Sequence, residues 1–344
     1  MYLHSLSTAS ARHAFTQNQT WELLQGHPSM AALKPRSRSL LGKVLTLGSS
    51  GIDERQFAEA DLHAVFARGA QELNESFERS APALGGEALV KAARQAGMQA
   101  DQIDALFVCS CTGYLCPGPS SYIAEALGMR SDTYLADLVG LGCGAAIPTL
   151  RAAQGYAAAN PEQTIAVVAV EISSAAFYLD DDPGVLISLC LFGDGAAAAI
   201  LGQRAPKAAP AMRFGRFDTH HQPEQREKIR FVNCAGRLKN QLHRSVPGHA
   251  AQAVSILFER YGEQPDQILA HSGGRDVIEA IEAKIPRYSL TETREILRRH
   301  GNLSSPSVLF ALEERLQQQP ESQKLWLTAF GAGFAAHSCE LALQ

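Results

Sequence analysis

The sequence repeats itself across its length, and this limits the possible folds more than any other feature. "GMQADQIDALFVCS" begins at Gly97 and "GEQPDQILAHSGG" begins at Gly262. Both carry G-x-Q-x-D-Q-I, both follow a helical pattern, and both lead into an apolar strand. The helix before Gly97 sets Ala88, Leu89, Ala92, Ala93 and Ala96 on one face, with Gly97 as its C-cap. Val254, Ile256, Leu257 and Tyr261 precede Gly262 in the same manner. A second echo pairs "LFGDGAAAAILG" at 191–202 with "AFGAGFAAHSCEL" at 329–341, each a glycine turn opening a run of small apolar residues. Two echoes in one order predict a duplicated chain, with halves at 1–205 and 206–344. Apolar strands such as "IAVVAVEISS" at 165–174 alternate with helices, which predicts α/β layers around largely buried sheets. The stretch before about residue 80 is less patterned, and "LKPRSRSLLGK" at 33–43 reads as an exposed basic segment.

Between the echoes, each half carries a loop that feeds a helix. In the first, Cys143 stands between Gly142 and Gly144, where a helix over 144–159 begins with Pro148 near its first turn. Unpaired N–H groups and the macrodipole at such a start favour negative charge, a setting that lowers a thiol's pKa. In the second, "HGNLSSPSVLFALEERL" gives Asn302 the related place. His271 closes the strand of the second repeat and opens onto Ser272, Gly273 and Gly274, so it is placed to face a cavity. A Cys–His pair can form a thiolate with an imidazolium counter-charge. An Asn amide can orient a group or donate a hydrogen bond to a developing oxyanion.

Composition removes several other chemistries. The net charge of −4 gives no basic face for nucleic acid, and no apolar run is long enough to cross a bilayer. Seven cysteines without a regular framework point to free thiols in a reducing cytoplasm. Cys109 and Cys111, along an apparent strand, are not expected to hold a metal. Neither a P-loop nor a GxGxxG fingerprint is present.

"LGCGAA" around Cys143, "LFGDGAAAAILG", "AHSGG" at 270–274, "GNLSSPSVLF" at 301–310 and "FGAGF" at 330–334 occur in the order found in type III polyketide synthases. From about residue 85 onward the chain resembles this family, which includes the chalcone and stilbene synthases. The resemblance implies a thiolase fold, five αβαβα layers from two related halves, and a homodimer. It implies that Cys143 takes the starter acyl group from a CoA thioester. His271 and Asn302 then bind the thioester oxygen of malonyl-CoA, so that decarboxylation yields an enolate for Claisen condensation. No cofactor is implied beyond CoA thioesters as substrates.

By the same resemblance Phe192 guards the junction of CoA tunnel and cavity, and Phe330, Gly331 and Ser304 belong to the substrate-binding surroundings. Gly273 and Gly274, with Lys43 and Arg55 as basic candidates, fall to CoA. Cys116, in "CTGYLCPGPSS" at 111–121, matches the loop residue that reaches into the partner's cavity. The chain also departs from the plant pattern. Asn240 stands at a gate phenylalanine, Phe231 at a small cavity-floor glycine, and Ala332 and Phe334 where that pattern has Pro and Leu. These departures imply a smaller or differently shaped starter than a large aromatic acyl group, with few extensions. They also place Asn240 facing water, CoA or a polar part of the growing chain.

Two other readings use the same residues. A ketoacyl synthase III keeps the fold and takes its acyl group from an acyl carrier protein. A papain-like cysteine hydrolase also uses Cys, His and Asn, but its C-G-[SA]-C-[WY] signature is absent.

Overall fold

The computed structural model describes residues 1–206, 211–318 and 324–344. Its strands are β1 (Tyr2–Ser10), β2 (His13–Thr16), β3 (Glu54–Phe57), β4 (Ala105–Cys109), β5 (Tyr134–Leu138), β6 (Ile165–Glu171), β7 (Gly195–Gly202), β8 (Met212–His221), β9 (Ile229–Cys234), β10 (Arg237–Leu242), β11 (Gln267–Ala270), β12 (Lys324–Gly331) and β13 (Ala335–Leu343). The main sheet runs β11-β12-β13-β8-β1-β7-β6-β4-β5.

The duplication is written in this order. In the first half β4 pairs parallel with β6, β6 antiparallel with β7, and β7 antiparallel with β1. In the second, β11 pairs parallel with β12, β12 antiparallel with β13, and β13 antiparallel with β8. The halves join where β1 meets β8 through only Tyr2↔Arg213 and Leu3↔Met212. β5 adds an edge to the first half, parallel to β4.

Side-chain alternation along the strands separates the layers. Ala105, Phe107 and Cys109 of β4, with Val167 and Ala169 of β6, face a core shared with Leu325, Leu327 and Ala329 of β12. Two helices fill that central layer, Ala146–Ala159 through Ile147 and Leu150, and Ser307–Gln318 through Val308 and Leu309. The opposite faces bury Leu106, Val108 and Val168 under the helix Ala70–Gln95, and Ile268 and Trp326 under the helices Val246–Tyr261 and Arg275–Lys284. The layers thus run αβαβα, the fold expected from the sequence. The second repeat helix ends as read, with Gly262 in the left-handed region at φ 71°.

Two expectations for the N-terminal region are corrected. The unpatterned first residues form β1, at the centre of the sheet. Its alternation is hidden because Ser5 is buried, with its hydroxyl donating to the Ala92 carbonyl at 2.7 Å. The basic segment at 33–43 lies largely in a helix, Pro35–Thr46, which buries Leu41 and Leu45 while Lys43 stays exposed.

Candidate active site

Cys143 lies in a 3-10 turn, Gly142–Gly144, that feeds the helix Ala146–Ala159. Its flanking glycines have a steric cause. Gly142 sits at φ 59°, and a Cβ there would lie 2.9 Å from the Ala332 nitrogen. A Cβ on Gly144 would meet the His337 ring at 3.1 Å and the Phe330 carbonyl carbon at 3.2 Å. The end of β12 therefore presses directly against the Cys143 turn. Gly331 is the other side of this contact, since a Cβ on it would stand 3.0 Å from the Cys143 nitrogen.

Ser304 is the hub that draws the predicted residues together. Ser304, and not Asn302 as expected, occupies the place in the second half that Cys143 occupies in the first, one short turn ahead of the helix Ser307–Gln318. Its φ is +58°. The Ser304 hydroxyl donates to the Cys143 Sγ at 3.3 Å and contacts the Cys111 Sγ at 3.2 Å. The Ser304 N–H donates to Asn302 Oδ1 at 2.8 Å, while Asn302 Nδ2 approaches the Gly273 carbonyl at 3.4 Å. His271 hydrogen-bonds to the Ser304 backbone, and its Nδ1 is buried without a partner. Behind it stands Phe330, edge-on with ring centroids 5.1 Å apart.

Burial sets the protonation states. Cys143 packs among Phe177, Leu189 and Phe192, and this desolvation pushes its thiol up to about 12. The Ser304 hydrogen bond opposes the rise, and the charge of Glu171 adds to it. This corrects the expected lowering, because apolar walls and a nearby carboxylate outweigh the turn's dipole. Desolvation likewise drives His271 down to about 3, so the resting imidazole is neutral and able to accept a proton.

Glu171 is the residue that sequence reasoning missed. It ends β6, fully buried, and collects donors from both halves. Oε2 accepts from the Cys111 N–H at 3.0 Å, the Thr112 N–H at 3.1 Å and the Thr112 hydroxyl at 2.9 Å. Oε1 accepts from the hydroxyls of Ser304 at 3.3 Å and Ser305 at 2.5 Å. A buried carboxylate is tolerated when its lone pairs are this fully engaged. The one available signal was a lone Glu closing an otherwise apolar strand.

A narrow cavity opens from Ser304 between Cys111, Phe177, Phe192, Phe231 and Asn240. Ser173 also lines it, with a buried hydroxyl that has no partner. Phe231 and Asn240 face each other across the β9–β10 hairpin. Asn240 lines the cavity, but its amide is not left to water or ligand as expected. It is buried, and its Nδ2 donates to the Ser188 hydroxyl at 2.7 Å, fixing the hairpin to the helix Pro183–Leu191.

Other expectations need correction. Arg55 is fully buried, so it offers no charge to CoA at the surface. Phe330 supports His271 and does not line the cavity, and Gly273 is a glycine because a Cβ would lie 2.8 Å from the Phe330 ring. Gly274 precedes the helix Arg275–Lys284 at φ 136°. The expectation for Cys116 concerns a partner's cavity and stands apart from these: the residue is exposed and lies outside this chain's own cavity. All seven cysteines are unpaired. Among the described residues, no group of three His, Cys, Asp or Glu side chains is placed to hold a metal ion, and no helix is long and apolar enough to cross a membrane.

The buried histidines make acid the sensitive direction. His271 titrates near 3, and His300 and His337 are pushed down to about 4 by desolvation. Below the unfolded value of about 6.5 the unfolded chain binds protons that these three side chains refuse. Their contribution is therefore present above that pH and is lost as pH falls toward 4. Asp194, raised by burial to about 6, takes up a proton in the folded state and offsets one of the three. The melting temperature at pH 5 is expected to lie below that at pH 7. Scanning calorimetry across this range checks it, and an unchanged or higher value at pH 5 contradicts it.

Comparison with known proteins agrees with the fold. Residues 60–205 match the model of the chalcone and stilbene synthases, N-terminal domain. The chain is 31% identical to the 3,5-dihydroxyphenylacetyl-CoA synthase of Streptomyces toyocaensis over 262 residues, covering 72% of this chain and 67% of that protein. It is 28% identical to the 1,3,6,8-tetrahydroxynaphthalene synthase of Streptomyces peucetius subsp. caesius over 346 residues, covering 96% and 90%. Its fold superposes on 1,3,6,8-tetrahydroxynaphthalene synthase from Streptomyces coelicolor A3(2), a bacterial type III polyketide synthase, with a TM-score of 0.85 at 24% identity, covering 100% and 99%. The chain belongs to the chalcone and stilbene synthase family of type III polyketide synthases, and is a condensing acyltransferase.

Proposed function

We propose that the chain loads an acyl group from acyl-CoA onto Cys143 and extends it with malonyl-CoA by decarboxylative Claisen condensation. The supporting observation is that the Cys143 thiol, His271 and Asn302 all meet at Ser304, which itself lines the cavity. In this reading neutral His271 accepts the thiol proton as Sγ attacks the starter thioester, and CoA leaves as its thiol. Attack and proton transfer proceed together, because burial penalises a free thiolate. His271 and Asn302 then hydrogen-bond the malonyl thioester oxygen, whose charge grows as CO2 departs. The enolate carbon attacks the acyl-Cys143 carbonyl, and the cysteine sulfur leaves. Phe192, at the cavity wall, disfavours the charged malonyl carboxylate relative to neutral CO2. The half over 1–205 contributes the nucleophile, and the half over 206–344 the histidine and asparagine.

The reaction is taken to need no cofactor besides CoA thioesters and to run in the cytoplasm. The relatives are named for a dihydroxyphenylacetyl thioester and a tetrahydroxynaphthalene, which supports a compact polyhydroxylated aromatic product here. Mass spectrometry of products from a panel of acyl-CoA starters with malonyl-CoA tests the function. Chain-extended products support it, and free acids without extension refute it.

Phe231 sets the size limit in this account. Its ring lines the inner cavity and also a surface pocket shared with Tyr114, Val139 and Ala332, so it walls one space from the other. Phe231→Gly is expected to join them, giving longer products or accepting bulkier starters. An unchanged product profile contradicts this assignment, as does efficient chalcone formation from 4-coumaroyl-CoA by the unmodified enzyme.

The functional unit is taken to be a homodimer joined beside the 111–121 loop. Tyr114 and Val139 are 68% and 55% exposed, and Tyr134 and Leu135 are exposed on the edge strand β5. Exposed apolar residues beside an unpaired sheet edge favour a partner there. In this arrangement Cys116 contributes to the neighbouring copy's cavity. Sedimentation at micromolar concentration is expected to show a dimer, and a monomer contradicts the arrangement.

A further inference from the structure

Arg55 is the buried cation that the mechanism above leaves unused. It ranks among the largest fully buried side chains; among the described residues no carboxylate lies within ion-pair distance of it, and Asp194 compensates its charge only from farther off. A buried charge is costly, and stability alone is served as well by an apolar side chain of similar volume. What the guanidinium touches is therefore informative. Nη1 donates to the carbonyls of Leu189 at 2.6 Å and Phe192 at 2.9 Å. These lie at the C-terminal end of the helix Pro183–Leu191, where unpaired carbonyls and the macrodipole favour a cation. Nε donates to Gln17 Oε1 at 3.1 Å, and the guanidinium lies over the Phe57 ring at 5.1 Å.

The segment that Arg55 grips is also the one on which Asn302 rests. The Asn302 N–H donates to the Leu191 carbonyl at 2.8 Å, and its carbonyl accepts from the Gly193 N–H at 3.1 Å. The stem of Arg55 lies directly beneath the preceding residue. A Cβ on Gly301 would stand 2.8 Å from Arg55 Cγ and 2.5 Å from the Leu191 carbonyl oxygen. One side chain thus sets the height of both Phe192 and Asn302. The side chains of Leu189 and Phe192 pack near Cys143, but the backbone turn that carries its thiol is fixed by the end of β12 and not by Arg55.

We infer that Arg55 is a positioning residue for decarboxylation, fixing Phe192 and Asn302 against each other while leaving starter loading on Cys143 to other contacts. The inference rests on the functional reading above, in which those two residues serve the malonyl step. It predicts a split between partial reactions that a merely structural role does not produce. A general loss of folded protein lowers both steps by the same factor. A displaced Asn302 and Phe192 lower one of them.

The test compares wild type, Arg55→Met and Arg55→Lys in two assays, with circular dichroism as the folding control. One follows acylation of Cys143 by a starter acyl-CoA, using intact-protein mass spectrometry. The other follows CO2 release from malonyl-CoA without starter. In Arg55→Met, acylation is expected within about twofold of wild type while decarboxylation falls ~10- to 100-fold, with a raised KM for malonyl-CoA. Arg55→Lys, which keeps the charge but not the two-carbonyl grip, is expected to fall between them. If Arg55→Met does not fold, the same split in Arg55→Lys decides the matter. Equal losses in both assays, or no loss in either, overturn the inference. A wild-type enzyme that neither acylates nor decarboxylates overturns the functional reading instead.

Discussion

Replacing Cys143 with alanine is expected to abolish condensation while malonyl-CoA decarboxylation stays measurable. The covalent intermediate needs this sulfur, so product formation should drop by ~10³-fold or more, toward the uncatalysed background. Decarboxylation uses the oxygen-binding donors of His271 and Asn302, which the substitution leaves in place. Of the neighbouring thiols, Cys111 lines the cavity and shares the Ser304 hydroxyl, but it stands directly against the Glu171 carboxylate, whose charge opposes a thiolate there. Cys190 is fully buried and outside the cavity lining. Parallel assays of product and of CO2 check this. Residual condensation above about one per cent of wild type contradicts the assignment, as does complete loss of decarboxylation in a folded variant.

The second large effect concerns the pair that binds the malonyl thioester. His271→Ala removes both the base for loading and one oxygen ligand, and is expected to slow condensation ~10²- to 10⁴-fold. Asn302→Ala removes the second ligand and the acceptor of the Ser304 N–H. Because both donors act on one oxygen, the double variant should lose less than the product of the two single losses in decarboxylation. Losses that multiply would mean that the two side chains act on different atoms.

The fold and the site were legible to different depths, and the reason is distance in sequence. Gly262 ends its helix through local geometry, so the repeat helices and the strands after them could be read from pattern alone. The unbroken apolar run of β6 reads directly as a strand buried on both faces, and Val167 and Val168 do face different cores. Cys143, His271 and Asn302 stand out in the sequence because glycines and strand ends mark their loops, and the fold brings all three to Ser304. Arg55 was misread because a guanidinium looks like surface charge until its partners at Leu189 and Phe192 are folded against it. Asn240 was misread for the same reason, since Ser188 satisfies its amide from a distant helix. The protonation of Cys143 was misjudged because a helix start is visible in sequence, whereas Phe177, Phe192 and Glu171 around it are not.

The proposed function requires Cys143 to carry the acyl chain that malonyl-CoA then extends. Incubating the enzyme with a starter acyl-CoA alone, followed by peptide mapping, addresses this directly when malonyl-CoA is added to a parallel sample. The account predicts one acyl group, on Cys143, which disappears on addition of malonyl-CoA as CO2 and an extended product appear. Acylation of Cys111 or Cys190 with Cys143 unmodified, or acyl-Cys143 that releases only the unextended acid, would contradict it.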